Sequence, residues 1–136
     1  SDPDIIDEAV ERSFTCTVCG YGMTHSVGPL QAEIQSTCLN CGEWTVQMAT
    51  LEEVIEATRE VAEWFAGEIF TDRQALAYLL RELVGVDRQR AARVMDTTPS
   101  NLDNLHRRGR EKAADARRIT QALRTLDEEN EGSSDQ

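Results

Sequence analysis

Apolar and polar positions alternate over residues 30–37, where Leu30, Ala32, Ile34 and Ser36 interleave with Gln31, Glu33, Gln35 and Thr37. They alternate again over 44–49, where Trp44, Val46 and Met48 interleave with Thr45, Gln47 and Ala49. A period of two predicts two strands, the first preceded by a Gly28-Pro29 turn and the second able to cover one side of a site formed by the four cysteines. From residue 51 the period lengthens. Leu51, Val54, Ile55, Val61, Ala62, Phe65 and Ile69 share one helical stripe, opened by a capping box at Thr50-Leu-Glu-Glu53. A second box at Thr71-Asp-Arg-Gln74 opens a helix whose Leu76, Leu79, Leu80 and Leu83 face inward and whose stop is Gly85. Asp87 caps a short helix through Met95, and Asp96-Thr97 makes a turn. Thr98 then caps a fourth helix with Pro99 in its first position.

Beyond that point Leu102, Leu105, Gly109, Lys112, Ala116, Ile119, Leu123 and Leu126 recur at spacings of three and four, a heptad rhythm weakened at Gly109 and Lys112. Ala116 to Leu126 is therefore the expected seam. It pairs with a second copy in a homodimer or packs on the Leu51–Ile69 stripe of its own chain, and the need of that helix for a partner favours the second arrangement.

The four cysteines add chemistry. Cys16-Thr-Val-Cys19 and Cys38-Leu-Asn-Cys41 are two Cys-x-x-Cys knuckles separated by eighteen residues, a spacing that suits a four-thiolate zinc site. Cys16, Cys19, Cys38 and Cys41 would close the coordination shell, so one zinc ion is expected in a structural role. A thioredoxin-like redox pair is the alternative, but it expects one such motif beside a βαβ pattern. Gly20 and Gly42 follow the knuckles, where a left-handed residue lets backbone N–H groups turn toward sulfur. His25 is expected in a loop before the hairpin, as a surface residue.

These elements predict an α+β chain. Residues 1–13 form an acidic N-terminal segment, 14–49 a small β zinc ribbon, and 50–70 an amphipathic linking helix. A helix-turn-helix unit follows at 71–112, then a C-terminal helix extension at 113–129 and a disordered acidic tail at 130–136. No run of eighteen apolar residues could cross a membrane, and no signal-peptide pattern is present, so a reducing cytoplasm is the expected compartment.

Charge refines the picture. The net charge is −11, yet residues 71–126 hold twelve bases and seven acids, whereas residues 1–50 hold seven acids and one base. A basic island in an acidic protein points to a polyanionic partner; solvated helix faces with internal ion pairs are the alternative. All the bases but Lys112 are arginine, which together with the excess acid suits a protein from a salt-loving archaeon.

A short helix, a tight turn and a helix with polar and basic side chains follow the helix-turn-helix order, and Ala91 and Ala92 would let the two helices cross closely. The exposed face of the fourth helix presents Thr98, Ser100, Asn101, Asn104, Arg107 and Arg108, with Arg110 and Lys112 further along. Asparagine suits adenine, arginine suits guanine or phosphate, and a helix N-terminus can hold a phosphate.

The run Thr71-Asp-Arg-Gln-Ala-Leu-Ala-Tyr-Leu-Leu-Arg-Glu-Leu-Val-Gly85, with Val86 to Met95, Thr98-Pro-Ser-Asn-Leu-Asp-Asn104 and Arg108-Gly-Arg-Glu-Lys112, resembles region 4 of sigma-70 factors. It is most similar to the stand-alone versions in haloarchaeal transcription regulators. The resemblance covers about forty residues and implies double-stranded DNA binding through Thr98 to Arg108. Three positions depart from it. His106 stands where an apolar residue is usual, Asp103 where lysine is frequent, and Asp96 in a turn that favours serine or glycine.

With seven acids and one arginine, residues 1–50 would be repelled by phosphate, so the ribbon is expected to face protein: RNA polymerase or another transcription factor, the other half of the molecule, or a second copy. Two functions follow, a DNA-binding regulator and a protein-interaction adaptor that does not itself bind DNA specifically. No enzyme is expected, since neither histidine has a matching nucleophile or carboxylate in a recognisable arrangement.

Overall fold

The computed structural model describes the backbone of residues 4–134 and the side chains of residues 6–128. A four-residue helix α1 (Asp4–Asp7) leads into strands β1 (Val10–Cys16), β2 (Gly22–Val27), β3 (Glu33–Thr37) and β4 (Trp44–Ala49). Helices α2 (Leu51–Ala66), α3 (Asp72–Tyr78), α4 (Arg88–Val94) and α5 (Pro99–Ser134) follow. The architecture is thus α+β, with an N-terminal sheet and a long C-terminal helix.

The four strands form one antiparallel sheet in the order β2-β1-β4-β3. Two of them, β1 and β2, lie outside the alternation that marks 30–37 and 44–49. Arg12 interrupts the apolar face of β1, yet it is buried and donates from Nη1 to the carbonyls of Pro29 (3.0 Å) and Gln31 (3.2 Å). A charged side chain here ties down the loop before β3, and so masks the strand in the sequence pattern.

The β1–β4 ladder sets the facing of β4. Cys16 pairs with Gln47 across the β1–β4 ladder and Thr15 with Met48. Paired residues share a face, so the face that carries the Cys16 sulfur also carries Gln47 and Thr45, and Trp44 and Met48 are left exposed. Gln47, at 0% exposure, is fully hydrogen bonded: its Nε2 donates to the Ser36 carbonyl and hydroxyl, each at 3.1 Å, and its Oε1 meets His25 Nε2 at 2.6 Å. His25 lies in β2 with its ring edge-on to Phe14, not in a loop.

The helical core gathers Ile55, Val61 and Ala62 of α2, Ala75 to Tyr78 of α3 with Leu79 and Leu80 just beyond it, Ala91, Ala92 and Met95 around α4, and Leu102 and Ala113 of α5; Ile6 and Leu30 pack against it from the sheet side. Thr71 forms its capping box with Gln74 in full. Thr50 does not: its side chain makes no cap bond, and Glu52, next to the expected box partner Glu53, pairs with Arg90 at 3.0 Å. Helix α2 ends at Ala66, so Ile69 falls beyond it and is exposed. After Tyr78, α3 widens into a π turn over Leu79–Val84 that ends at Gly85, φ +84°, and Leu83 is carried outward to 56% exposure. Tight α packing would have kept Leu83 with Leu79 and Leu80.

Asp87 caps α4 by accepting from the Arg90 amide at 3.0 Å, and Thr98 caps α5 by accepting from the Asn101 amide at 3.1 Å. Between them Asp96 takes φ +51°, a left-handed conformation. Helix α5 crosses α3 at Gly109, where a Cβ would lie 2.9 Å from the Gln74 carbonyl oxygen and from Tyr78 Cβ. The glycine that weakens the heptad rhythm is thus the point of closest approach. The expected packing of the Ala116–Leu126 seam on α2 is not seen, because Ile119, Leu123 and Leu126 are exposed. Helix α5 also continues to Ser134, past the expected end at 129; residues 135–136 and 1–3 lie outside the described residues.

Candidate metal centre and candidate nucleic-acid interface

Each cysteine pair sits on a turn at one end of the sheet, the first between β1 and β2 and the second between β3 and β4. The two turns are near copies. The Cys16 amide donates to the Tyr21 carbonyl at 2.9 Å and the Cys38 amide to the Glu43 carbonyl at 2.8 Å. The Gly20 and Gly42 amides return to the carbonyls of Cys16 and Cys38 at 2.9 Å each, with φ of +79° and +72° at the two glycines. A backbone N–H then points at each leading sulfur: Val18 N at 3.4 Å from Cys16 Sγ, and Asn40 N at 3.4 Å from Cys38 Sγ.

Folding of the hairpins therefore brings the four sulfurs together, all within 4.8 Å of one another and with no disulfide among them. A tetrahedral ion with metal–sulfur bonds of about 2.3 Å needs sulfurs about 3.8 Å apart, and Cys19 and Cys38 stand 3.5 Å apart. The donor set fits one metal ion. Cys16 and Cys38 are buried, whereas Cys19 is exposed and Cys41 half-buried.

The thiols are not equivalent. The Thr45 hydroxyl, 3.3 Å from Cys16 Sγ, together with nearby backbone amides, pulls the Cys16 thiol down to about 6 against the cost of burial. Asn40 and the Tyr21 amide lower Cys19. Cys41 receives help from the Glu43 amide, but burial and the neighbouring thiols outweigh it and push this group up to about 11. Thr45 is thus part of the site, and Gln47 Nε2 reaches its hydroxyl at 3.4 Å.

The residues expected to meet nucleic acid lie along α5. Ser100, Asn101, Asn104, Arg107, Arg108 and Arg110 are exposed. Ser100, Asn104 and Arg107 stand three or four residues apart on the side opposite Leu102 and Gly109. Thr98 is engaged as the cap, and Asn101 Nδ2 donates to Thr97 Oγ1 at 2.8 Å. Lys112 turns inward, its Nζ 2.5 Å from Gln74 Oε1. His106 is neither in the core nor free: its Nε2 meets Glu82 Oε1 of the π turn at 2.8 Å.

Most of the basic island is used internally. Arg73 donates to the Met95 carbonyl at 3.3 Å and Arg81 to the Val86 carbonyl at 2.9 Å. Arg88 binds Asp103, Arg90 binds Glu52, Arg117 donates to Tyr78 Oη, Arg118 binds Asp115, and Arg110 approaches Glu82 at 3.9 Å. Arg93, Arg107, Arg108 and Arg124 have no partner among the described residues. Net segment charge therefore overstates the positive surface, which narrows to a few arginines. Arg59 of α2 adds a support outside the island, donating to the Val94 carbonyl at 3.0 Å beside the Arg73 contact. Both arginines satisfy carbonyls at the end of α4, so the turn into α5 is held from α2 and α3.

Among the described residues no helix is long and apolar enough to cross a membrane. Compared with family models, with curated proteins and with solved structures, the chain matches none.

Proposed function

We propose that this protein is a DNA-binding transcription regulator in which α4 and α5 act as a helix-turn-helix and the four cysteines hold one structural zinc ion. The observation that carries the reading is the exposed ridge of Ser100, Asn104 and Arg107 with Arg108 beside it, on a helix whose N-terminal end is rigidly capped and braced. Asparagine and arginine side chains on a presented helix are the groups that pair with base edges in the major groove, and the Ser100 end suits a phosphate. The resemblance to sigma-70 region 4 adds to this reading. Zinc is favoured over other ions because four thiolates in a closed shell suit a soft, redox-inert metal. Thiols spaced in this way also suit a reducing cytoplasm.

Binding of genomic fragments, read by fluorescence anisotropy at working salt, tests the proposal. The double variant Arg107→Ala, Arg108→Ala should bind at least tenfold more weakly; unchanged binding would sink it.

One observation favours an adaptor that binds protein instead. Val18, Leu39 and Trp44 are exposed on the ribbon at 70%, 80% and 69%, and Arg12, the sole base among residues 1–50, is committed to backbone carbonyls. An apolar, acid-rimmed surface suits a basic protein partner. On the adaptor reading, Trp44→Ala abolishes capture of such a partner while DNA fragments show no selective binding.

A further inference from the structure

Between α2, the α3 π turn and α5 a cavity of about 220 Å³ opens to the surface, walled by Phe65, Phe70, Tyr78, Leu83, Ala113 and Ala116. Local sequence makes the hollow. The π turn carries Leu83 outward to its rim, away from Leu79 and Leu80, and α5 offers only the methyl groups of Ala113 and Ala116 to the space. An engineered apolar cavity of about 150 Å³ holds benzene, so this one has room for a ring with a short arm or for two fused rings. Its aromatic wall is ordered. Phe65 and Phe70 meet edge to face with ring centroids 5.8 Å apart at 84°, and Phe70 and Tyr78 lie 6.2 Å apart at 34°. A further ring entering beside them can adopt the same edge-to-face and offset geometries, which an aliphatic chain of equal area cannot.

Charge is confined to one point of the lining. Arg117 is the one charged residue there, and its Nη2 donates to Tyr78 Oη at 3.1 Å. Arg59, Arg88, Arg90, Arg110 and Arg118 each stand against an acid, but Arg117 has no carboxylate partner among the described residues. Tyr78 is 9% exposed, and its hydroxyl, having accepted from Arg117, donates to no group among the described residues. A guanidinium and a phenol, each with a proton to donate, thus stand together at the edge of an apolar hollow.

We propose that this hollow binds an aromatic monocarboxylate of one or two rings, with its ring against Phe65, Phe70 and Tyr78 and its carboxylate received by the Arg117 guanidinium and the Tyr78 hydroxyl. Guanidinium N–H groups match the two oxygens of a carboxylate, and a flank shielded from water by the rings strengthens that contact. A single arginine suits one negative charge; a second would be left without a partner. A ligand so placed touches α3 and α5 one turn beyond their crossing at Gly109, and binding to the folded chain alone raises its stability. The site goes beyond the DNA-binding reading and does not depend on it, since no residue from Thr98 to Arg108 lines the hollow.

Calorimetric titration of the metal-loaded full chain with 2-naphthoate should show one site per chain with a Kd below about 1 mM, and the melting temperature should rise with ligand; absence of saturable binding overturns the proposal. Naphthalene-2-carboxamide, of the same shape without the charge, should bind at least tenfold more weakly, and equal affinity would remove the carboxylate from the account. Octanoate, a carboxylate without a ring, should also bind at least tenfold more weakly; equal or tighter binding overturns the aromatic class. Arg117→Gln, at an exposed position, should weaken 2-naphthoate at least tenfold and leave the amide unchanged, and full affinity in this variant overturns the site. Ala116→Leu fills the hollow, so it should abolish binding with unchanged helical circular dichroism; a folded variant that still binds places the ligand elsewhere.

Discussion

Arg88 donates from Nε to both carboxylate oxygens of Asp103 at 3.0 Å, joining the start of α4 to the exposed flank of α5. On the DNA-binding reading this acid would repel a nearby phosphate, and Arg88 partners it within the protein. Both side chains are about half exposed, so the pair contributes less than about 1 kcal/mol to stability. On the DNA-binding reading, Arg88→Ala should leave the melting temperature nearly unchanged and weaken binding several-fold, because Asp103 regains its full repulsion. Adding Asp103→Asn to that variant should restore binding in the same anisotropy titration.

Gly109→Ala should destabilise the protein by about 1–3 kcal/mol, measured by urea unfolding, because the new methyl group must displace the Gln74 carbonyl or Tyr78. In an exposed helix interior the same change stabilises by roughly 0.5–1 kcal/mol. The sign alone therefore separates a packing constraint from helix propensity.

Metal binding should release protons. At pH 7.5 the Cys41 thiol, pushed up to about 11, is still protonated, whereas Cys16 near 6 is mainly thiolate. Calorimetry in buffers of different ionisation enthalpy should report at least one proton released per ion. Acidification opposes binding: in the metal-free site Cys16 takes a proton as pH falls through about 6, which competes with the ion, so a chelator should strip the metal faster at pH 5.5 than at pH 7.5. Thr45→Val removes the hydroxyl beside Cys16, so it should shift that acid transition to higher pH.

Gln47→Ala should cost about 1–3 kcal/mol in the metal-loaded protein, because it strips His25 and Ser36 of buried hydrogen-bond partners. A loss under about 0.5 kcal/mol in urea unfolding would mean that water replaces the amide without penalty.

The helices were legible in the sequence because their start and stop chemistry is local. Thr71 with Gln74, Asp87, Thr98 with Pro99, and Gly85 each act on their own turn. The sulfur cluster was legible for the same reason, since each knuckle closes within a few residues. The facing of β4 was not, because it is set by a partner thirty residues away: Cys16 must point to the site, and the ladder hands its face to Gln47 and Thr45. Strand β1 was hidden by Arg12, whose burial makes sense only once the Pro29–Gln31 carbonyls are beside it. The basic island misled in proportion to its pairing. Sequence counts charges, but the positions of Gln74, Tyr78, Glu82 and Asp103 decide which of them remain available.

The crossing at Gly109 makes α5 a lever with unequal arms. About 15 Å of helix lies on the Pro99 side of that contact and about 38 Å on the Ser134 side, at 1.5 Å per residue. A tilt of about 5° at the fulcrum moves the long end by roughly 3 Å and the short end by little more than 1 Å. Side chains near Pro99 thus keep their position against a rigid surface, while Leu126, about 26 Å from the contact, moves by roughly 2 Å.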